Sequence, residues 1–216
     1  MKLRIASLTL LLLALVAIPA MAQDIYDNGP TNGNTDAWTI NFGFIVSDTF
    51  NVTNNNTTIT GGSFAMWLVP GDTLTSAELS ITSSEFGGTS YFDQTVNFTQ
   101  GACTINQYGY NVCNENTSFS GPFLNAGTYW LNLQNASVPS GDPVYWDENS
   151  GPSRASENSV GSVPSESFTL LSTCVDWPCA TSTTTTTSSS VPEPSSILLL
   201  GSGMLGLAGV LRRRLF

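Results

Sequence analysis

The sequence predicts an all-β fold for residues 23–180, an antiparallel β-sandwich of jelly-roll type, followed by a single C-terminal transmembrane helix. Three observations support this prediction. Apolar residues of the central part recur at every second position, clusters of Gly, Pro, Asn and Asp separate the runs, and no segment sustains a 3.6-residue apolar period. Eight or more short strands at this spacing favour a sandwich. No internal repeat is visible, which disfavours a solenoid.

The first apolar run shows the alternation clearly. In residues 38–46, large apolar side chains alternate with Thr39, Asn41 and Gly43, which predicts one strand with a mostly buried face. Similar runs, separated by turn clusters such as Pro70-Gly71-Asp72, predict the other strands. The predicted strands are 38–46, 50–53, 57–69, 73–82, 91–99, 117–124, 128–135, 144–147 and 167–171.

The N-terminus has the three parts of a secretory signal peptide. Lys2 and Arg4 give it a positive start, residues 5–18 are apolar, and Ala20-Met21-Ala22 supplies small side chains for cleavage. We therefore expect signal peptidase to remove residues 1–22 and the remainder to be exported. An uncleaved membrane anchor is the alternative, which the short apolar run and the cleavage site disfavour.

The rest of the chain is strongly acidic up to its last residues. Residues 23–190 contain 15 acidic residues and one basic residue, Arg154, so their net charge is −14. The chain has no histidine. Such a surface repels phosphate backbones, so we expect no nucleic-acid partner.

Four cysteines in an exported chain predict disulfide bonds. Cys103 and Cys113 flank a predicted hairpin that turns near Tyr108-Gly109, and Cys174 and Cys179 lie close together near the end of the domain. Three pairings are possible, and proximity favours Cys103 with Cys113 and Cys174 with Cys179. The lack of histidine and the cysteine spacing disfavour a metal site on these residues.

The C-terminal segment 191–216 combines three features in order. Val191-Pro192-Glu193-Pro194 holds the backbone extended, because proline restricts its own φ and the preceding residue. Residues 195–211 are 17 apolar or small residues, which form a helix of about 25 Å, at the short end of what spans a bilayer. Arg212, Arg213 and Arg214 follow and predict the cytoplasmic side. The Thr/Ser-rich residues 181–190 precede this segment as a flexible stalk.

This tail resembles the PEP-CTERM sorting signal of Gram-negative bacteria. The resemblance implies recognition by an exosortase, a membrane-embedded cysteine transpeptidase, and cleavage near Pro192-Glu193-Pro194. It implies a protein anchored in the membrane with its domain outside the cytoplasm, destined for the cell surface or the extracellular space, and associated with exopolysaccharide and biofilm. Tails of this kind also carry an ice-binding label, which is no evidence of ice binding. A plain transmembrane anchor is the alternative, with the same topology.

The body of the chain is similar to a group of exported PEP-CTERM proteins that share a domain of no settled activity. The similarity lies in residues 47–50, 67–72, 127–135 and 142–149. It implies one extracellular β-domain and adds no chemistry, because a fold alone does not determine a function.

Two sets of residues in this domain are candidate binding sites. Asp142, Asp147 and Glu148 offer oxygen ligands of the kind that Ca²⁺ prefers; the alternative is that they are solvated turn residues. Trp130 and Trp146 offer aromatic faces for sugar rings; the alternative is that they fill the core.

We therefore expect a non-catalytic cell-surface or extracellular-matrix protein, associated with exopolysaccharide, with no catalytic residue and no cofactor other than Ca²⁺. A carbohydrate- or calcium-binding module is the first alternative. A secreted glycoside hydrolase is a third, which would require two carboxyl groups facing each other in a cleft.

Overall fold

The computed structural model describes residues 23–174, which form fourteen β-strands in two antiparallel sheets. The all-β prediction is confirmed for this part of the chain. No helix in these residues has the length and apolar character needed to cross a bilayer. The predicted signal peptide, stalk, transmembrane helix and Cys179 lie outside the described residues.

Most strands are short, and the longest, β4, runs through the middle of its sheet. The strands are β1 (Gln23–Asp27), β2 (Ala37–Thr39), β3 (Ile45–Val52), β4 (Thr57–Leu68), β5 (Ser76–Ser84), β6 (Gly87–Asn97), β7 (Thr99–Ile105), β8 (Asn111–Ser118), β9 (Phe123–Leu124), β10 (Gly127–Ser137), β11 (Val144–Asp147), β12 (Ala155–Glu157), β13 (Gly161–Val163) and β14 (Phe168–Cys174).

The eight-stranded sheet, which we name sheet A, is built around β4. Its main path is β1-β14-β4-β11-β2, and β4 also pairs with β8 and β9, while β7 pairs with β8. The six-stranded sheet, sheet B, has the order β13-β12-β3-β10-β5-β6. Neighbouring strands are therefore often far apart in sequence.

One hydrophobic core contains side chains from both sheets. Sheet A contributes the contacting rings of Phe64, Trp146 and Phe168, whose centroids lie 5.5–6.3 Å apart. Sheet B contributes Phe50 and Leu131, both fully buried. Each large side chain withdrawn from water contributes about 1.5–3 kcal/mol. The shared core gives the domain a sandwich-like organisation, as predicted, and the jelly-roll connectivity stays a prediction.

The predicted strand over residues 38–46 is wrong in its middle. β2 ends at Thr39 and β3 begins at Ile45. Between them Phe42 and Gly43 both have positive φ, at 58° and 90°, and the Phe42 side chain is 65% exposed. Asn41 and Gly43, which the alternation predicts on the polar face of a strand, instead belong to a turn, where such residues are favoured.

The predicted hairpin between the first two cysteines is confirmed. β7 and β8 pair in antiparallel register, with Cys103 opposite Cys113 and a disulfide bond between them. The amide of Gly109, whose φ is 85°, donates to the carbonyl of Asn106 and closes the turn. The hairpin is thus closed at both ends, by the covalent bond and by the turn.

Candidate functional site

Asp147 is the last residue of β11, Glu148 follows it, and their side chains lie on opposite sides of sheet A. Trp146, the preceding residue, is fully buried in the core. Because successive side chains of a strand alternate, Asp147 faces the outside of the sheet and Glu148 the space between the sheets. Asp142 precedes the strand. Among the described residues no three acidic side chains are grouped as they would be around a metal ion, so the structure does not bring Asp142, Asp147 and Glu148 together as a calcium site.

The Asp147 carboxylate fastens the segment that precedes β2 to the outer face of sheet A. It accepts hydrogen bonds from Nε1 of Trp67 at 2.6 Å and from the backbone amides of Asn32 and Gly33 at 2.7 and 2.8 Å. Burial raises the pKa of Asp147, and these three donors oppose the rise. At Gly33, φ is +67° and an added Cβ would lie 3.2 Å from Cγ2 of Val112, so the close approach requires glycine.

Three carboxylates occupy buried, inward positions between the sheets, and we name Asp48, Glu148 and Glu166 the inner carboxylate cluster. Glu148 and Glu166 form an antiparallel bridge, so their side chains leave sheet A on the same side. Asp48 belongs to β3 of sheet B and shares its face with Val46 and Phe50 of the core. Asp48 and Glu166 have no solvent exposure, and Glu148 is 7% exposed.

Asp48 and Glu148 each have hydrogen-bond donors. The Asp48 carboxylate accepts from the backbone amides of Glu166 and Thr49, at 2.7 and 2.6 Å, and from Nδ2 of Asn28 at 3.0 Å. Burial nevertheless raises the pKa of Asp48 to about 6. Oε2 of Glu148 accepts from Nε1 of Trp38 at 3.1 Å, and burial raises the pKa of Glu148 as well.

Glu166 has no such donors. Neither of its carboxylate oxygens has a hydrogen-bond partner among residues 23–174. Burial raises its pKa well above the ordinary value, and the negative charges of Asp48, Glu148, Asp147 and Asp36 raise it further. In the described part of the chain, no three acidic or cysteine side chains already converge on one point as metal ligands.

A second candidate site is a groove on the outer side of sheet A. It has a volume of about 340 Å³ and lies between the segment fastened by Asp147 and the β7–β8 hairpin. Its lining contains no charged residue. Nδ2 of Asn106, at its wall, is a donor without a partner among the described residues. The polar residues of the lining are Thr31, Asn32, Asn34, Thr104, Asn106 and Asn114.

Tyr108 lies beside this groove, and 55% of the residue is exposed to solvent. One face of the ring stacks on Trp67, with centroids 5.7 Å apart and planes inclined by 25°. Its hydroxyl donates to the carbonyl of Asn34, which lines the groove, at 3.4 Å. The ring is therefore held in place while much of its surface remains open to a ligand.

The two predicted aromatic ligand residues lie elsewhere. Trp146 is fully buried among Phe64 and Phe168, and its Nε1 donates to the carbonyl of Ser167. An enclosed ring presents no face to a sugar, so Trp146 is a core residue and its predicted role is corrected. Trp130 lies half-buried on β10 of sheet B, away from the groove.

Sequence reasoning missed Asp48, Glu166 and Tyr108. A signal for Asp48 was present, because it occupies an inward position of the alternation between Val46 and Phe50, where an apolar residue is expected. Glu166 gives a similar signal, because it lies two residues before Phe168 and so occupies a position of the alternation where an apolar residue is expected. No local pattern distinguishes Tyr108 from any other turn tyrosine.

The C-terminal residues 190–214 match the family model described as the PEP-CTERM protein-sorting motif. No curated protein matches the chain. The matched segment includes the predicted Pro192-Glu193-Pro194 and the arginines 212–214, so the predicted resemblance of the tail is confirmed. The motif implies an exosortase as processing partner and an exported, membrane-anchored substrate. This chain therefore contains a PEP-CTERM protein-sorting motif at its C-terminus, joined to an all-β domain.

Proposed function

We propose that this protein is a non-catalytic component of the cell surface or extracellular matrix, and that its β-domain binds neutral exopolysaccharide in the groove beside Tyr108. The sorting motif supports the destination. The observation that supports the ligand is the uncharged, amide-rich groove next to an exposed, stacked tyrosine.

The chemistry of the groove matches that of a sugar. Carbohydrates present many hydroxyl groups and apolar ring faces, so they are bound by amide and hydroxyl side chains together with aromatic rings. Asn34, Asn106 and Asn114 supply both donors and acceptors. Tyr108 supplies a ring whose position is fixed by Trp67, so little side-chain entropy is lost on binding.

The charge of the domain selects among polysaccharides. A net charge of −14 over residues 23–190 repels anionic polymers such as alginate, at low salt most strongly. A neutral polymer experiences no such repulsion. We therefore expect neutral polysaccharides to bind and anionic ones to be excluded.

Affinity electrophoresis tests this proposal. The full-length protein in detergent migrates through gels that contain dextran, galactomannan or laminarin, with alginate as the anionic comparison. At least one neutral polymer should retard it. Tyr108→Ala should weaken that retardation about fivefold, because one aromatic contact contributes about 1 kcal/mol.

Tyr91→Ala is the matched control. Tyr91 is 42% exposed and lies on β6 of sheet B, so its replacement removes an exposed ring of the same kind far from the groove. It should leave retardation unchanged. Absence of retardation by every neutral polymer, or an equal effect of the two substitutions, would contradict polysaccharide binding in this groove.

A further inference from the structure

We infer that the inner carboxylate cluster binds a hard divalent cation, Ca²⁺ by its ligand chemistry, which joins sheet A to sheet B. Glu148 and Glu166 belong to the sheet A side and Asp48 to sheet B, so one ion between them would link the two layers of the sandwich. This site is independent of the groove and of the proposed polysaccharide ligand.

The buried, unpartnered carboxylate of Glu166 is the main observation. It is fully enclosed, and both of its oxygens lack hydrogen-bond partners among residues 23–174. Buried carboxylates are otherwise hydrogen-bonded or paired, because removing their charge from water is costly. Glu166 is aimed inward, in phase with Phe168 and Leu170 of the core, toward Asp48 on the opposite sheet.

No positive side chain of the domain can balance this cluster. Arg154 is the one basic residue of the described chain, and it is exposed at the surface. The charged groups that act on Glu166 are all carboxylates: Asp48 from β3, Glu148 and Asp147 from the end of β11, and Asp36 before β2. A compensating charge must therefore come from outside residues 23–174.

Protonation satisfies the cluster only in part. A protonated carboxyl group of Glu166 would acquire an O–H donor, for which the carboxylates of Asp48 and Glu148 are candidate acceptors, but its second oxygen would still need a donor. A cation satisfies both oxygens at once and removes the repulsion from Asp48 and Glu148.

The surroundings of Asn28 show the same excess of oxygen. Four oxygens lie within 3.0 Å of its Nδ2: Oδ2 of Asp48, the hydroxyls of Ser153 and Ser165, and the carbonyl of Glu166. An amide nitrogen has two hydrogens and cannot donate to four acceptors. The two hydroxyl oxygens also lie 2.7 Å apart and hydrogen-bond to each other. These hydroxyls and the carbonyl of Glu166 are neutral oxygens beside the carboxylates and are candidate further ligands.

The ligand set identifies the class of ion. All candidate ligands are oxygens, and no histidine exists in the chain, so soft and borderline metals are disfavoured. Ca²⁺ accepts six to eight oxygens in irregular arrangements, whereas Mg²⁺ requires a near-ideal octahedron and retains several waters. In the described residues the three carboxylates do not meet at one point, so binding requires their side chains to move toward one another.

Thermal melts and calorimetry of the calcium-free, full-length protein in detergent test the inference. Titration with CaCl₂ should give a dissociation constant of about 10⁻⁴–10⁻³ M, typical of extracellular modules. About 10 mM calcium should raise the Tm by about 3–10 °C, and the same concentration of magnesium should have a smaller effect.

Charge-removing variants locate the site. Glu166→Gln and Glu148→Gln should each weaken calcium binding about tenfold or more, and without calcium Glu166→Gln should melt above the wild type because an uncompensated charge is gone. Glu115→Gln is the matched control, since Glu115 is also a fully buried carboxylate without partners but lies on β8 with no carboxylate acting on it. The Glu115→Gln variant should bind calcium as the wild type does and show the same rise in Tm.

Two results would overturn the inference. One is a wild-type protein whose Tm and heat of titration do not respond to calcium. The other is a calcium response that both Glu166→Gln and Glu148→Gln retain in full. If Asp142→Asn abolishes the response that these two variants keep, the ion is bound by the other acidic residues and not by the inner cluster.

Discussion

Asp147 and Glu148 are consecutive residues whose carboxylates lie on opposite sides of one sheet and stabilise two different structures. Asp147 fastens the wall of the outer groove through Trp67, Asn32 and Gly33. Glu148 completes the inner carboxylate cluster with Asp48 and Glu166. The alternation of a strand thus allows one pair of acidic residues to shape both the binding face and the interior.

Trp67→Phe should destabilise the domain by about 1.5–3 kcal/mol. The substitution removes the 2.6 Å hydrogen bond to a buried carboxylate, and bonds to charged groups contribute more than neutral ones. Chemical denaturation measures the loss. Hydrogen exchange should also become faster at the amides of Asn32 and Gly33, because their acceptor is less firmly held.

Trp130→Phe provides the comparison for this change. Trp130 is half-buried on β10 of sheet B. Its replacement by Phe removes the same ring volume but leaves the hydrogen bonds of Asp147 intact. The Trp130→Phe substitution should lower the free energy of unfolding by less than about 1 kcal/mol. Equal losses for the two tryptophans would show that ring packing, and not the bond to Asp147, accounts for the effect.

Stability should fall as the pH rises from about 4.5 to about 7, in part because of Glu115. Burial raises the pKa of its carboxyl group from the ordinary 4.5 to about 7, opposed by the nearby amide of Gln100, which itself donates to Sγ of Cys113. Between these values the folded protein retains a proton that the unfolded chain has lost, so raising the pH favours unfolding. The penalty is absent below about 4.5 and complete above about 7.

Glu115→Gln should remove this part of the pH dependence. At pH 8 the variant should be more stable than the wild type by about 1–3 kcal/mol, and at pH 4.5 the two should be nearly equal. Urea denaturation at both pH values, without calcium, measures the difference. Asp93→Asn, at an exposed position of β6, should change neither value. A variant whose stability still falls as steeply as that of the wild type would refute this role for Glu115.

The local hydrophobic pattern predicts the bounds of a strand well where apolar and polar residues alternate regularly. The predicted strands 57–69 and 128–135 correspond closely to β4 and β10, because each contains apolar residues at alternating positions, 64, 66 and 68 in β4 and 129, 131 and 133 in β10. At residues 40–44 the same reasoning failed, since large apolar residues continue through a turn in which Phe42 is exposed. A tight turn depends on backbone conformation, which the hydrophobic pattern does not determine.

The candidate sites depend on contacts that no local pattern contains. The backbone amide of Glu166 donates to Asp48 across 118 positions of sequence, because Glu166 lies just before β14 of sheet A and Asp48 lies on β3 of sheet B. The groove likewise combines Asn32 and Asn34 with residues near position 106. Predicting such sites requires the order of strands in each sheet, which residue type alone leaves open.

Processing at the sorting motif should depend on Pro192-Glu193-Pro194. In cells with an exosortase, we expect the wild-type protein to lose its C-terminal residues, including Arg212, Arg213 and Arg214, because the enzyme acts near the motif. Replacing all three motif residues by alanine should leave the C-terminus intact and the protein in the membrane fraction. Intact-mass measurement distinguishes the two products directly.

A substitution in the stalk and a strain without the enzyme complete this experiment. Thr187→Ala lies close to the motif but outside the matched residues, so the protein should be processed normally. Without exosortase, the wild type should have the same intact C-terminus as the alanine variant. If the wild-type mass is identical with and without the enzyme, the segment is a plain transmembrane anchor, because an apolar helix followed by three arginines is retained in the bilayer without further processing.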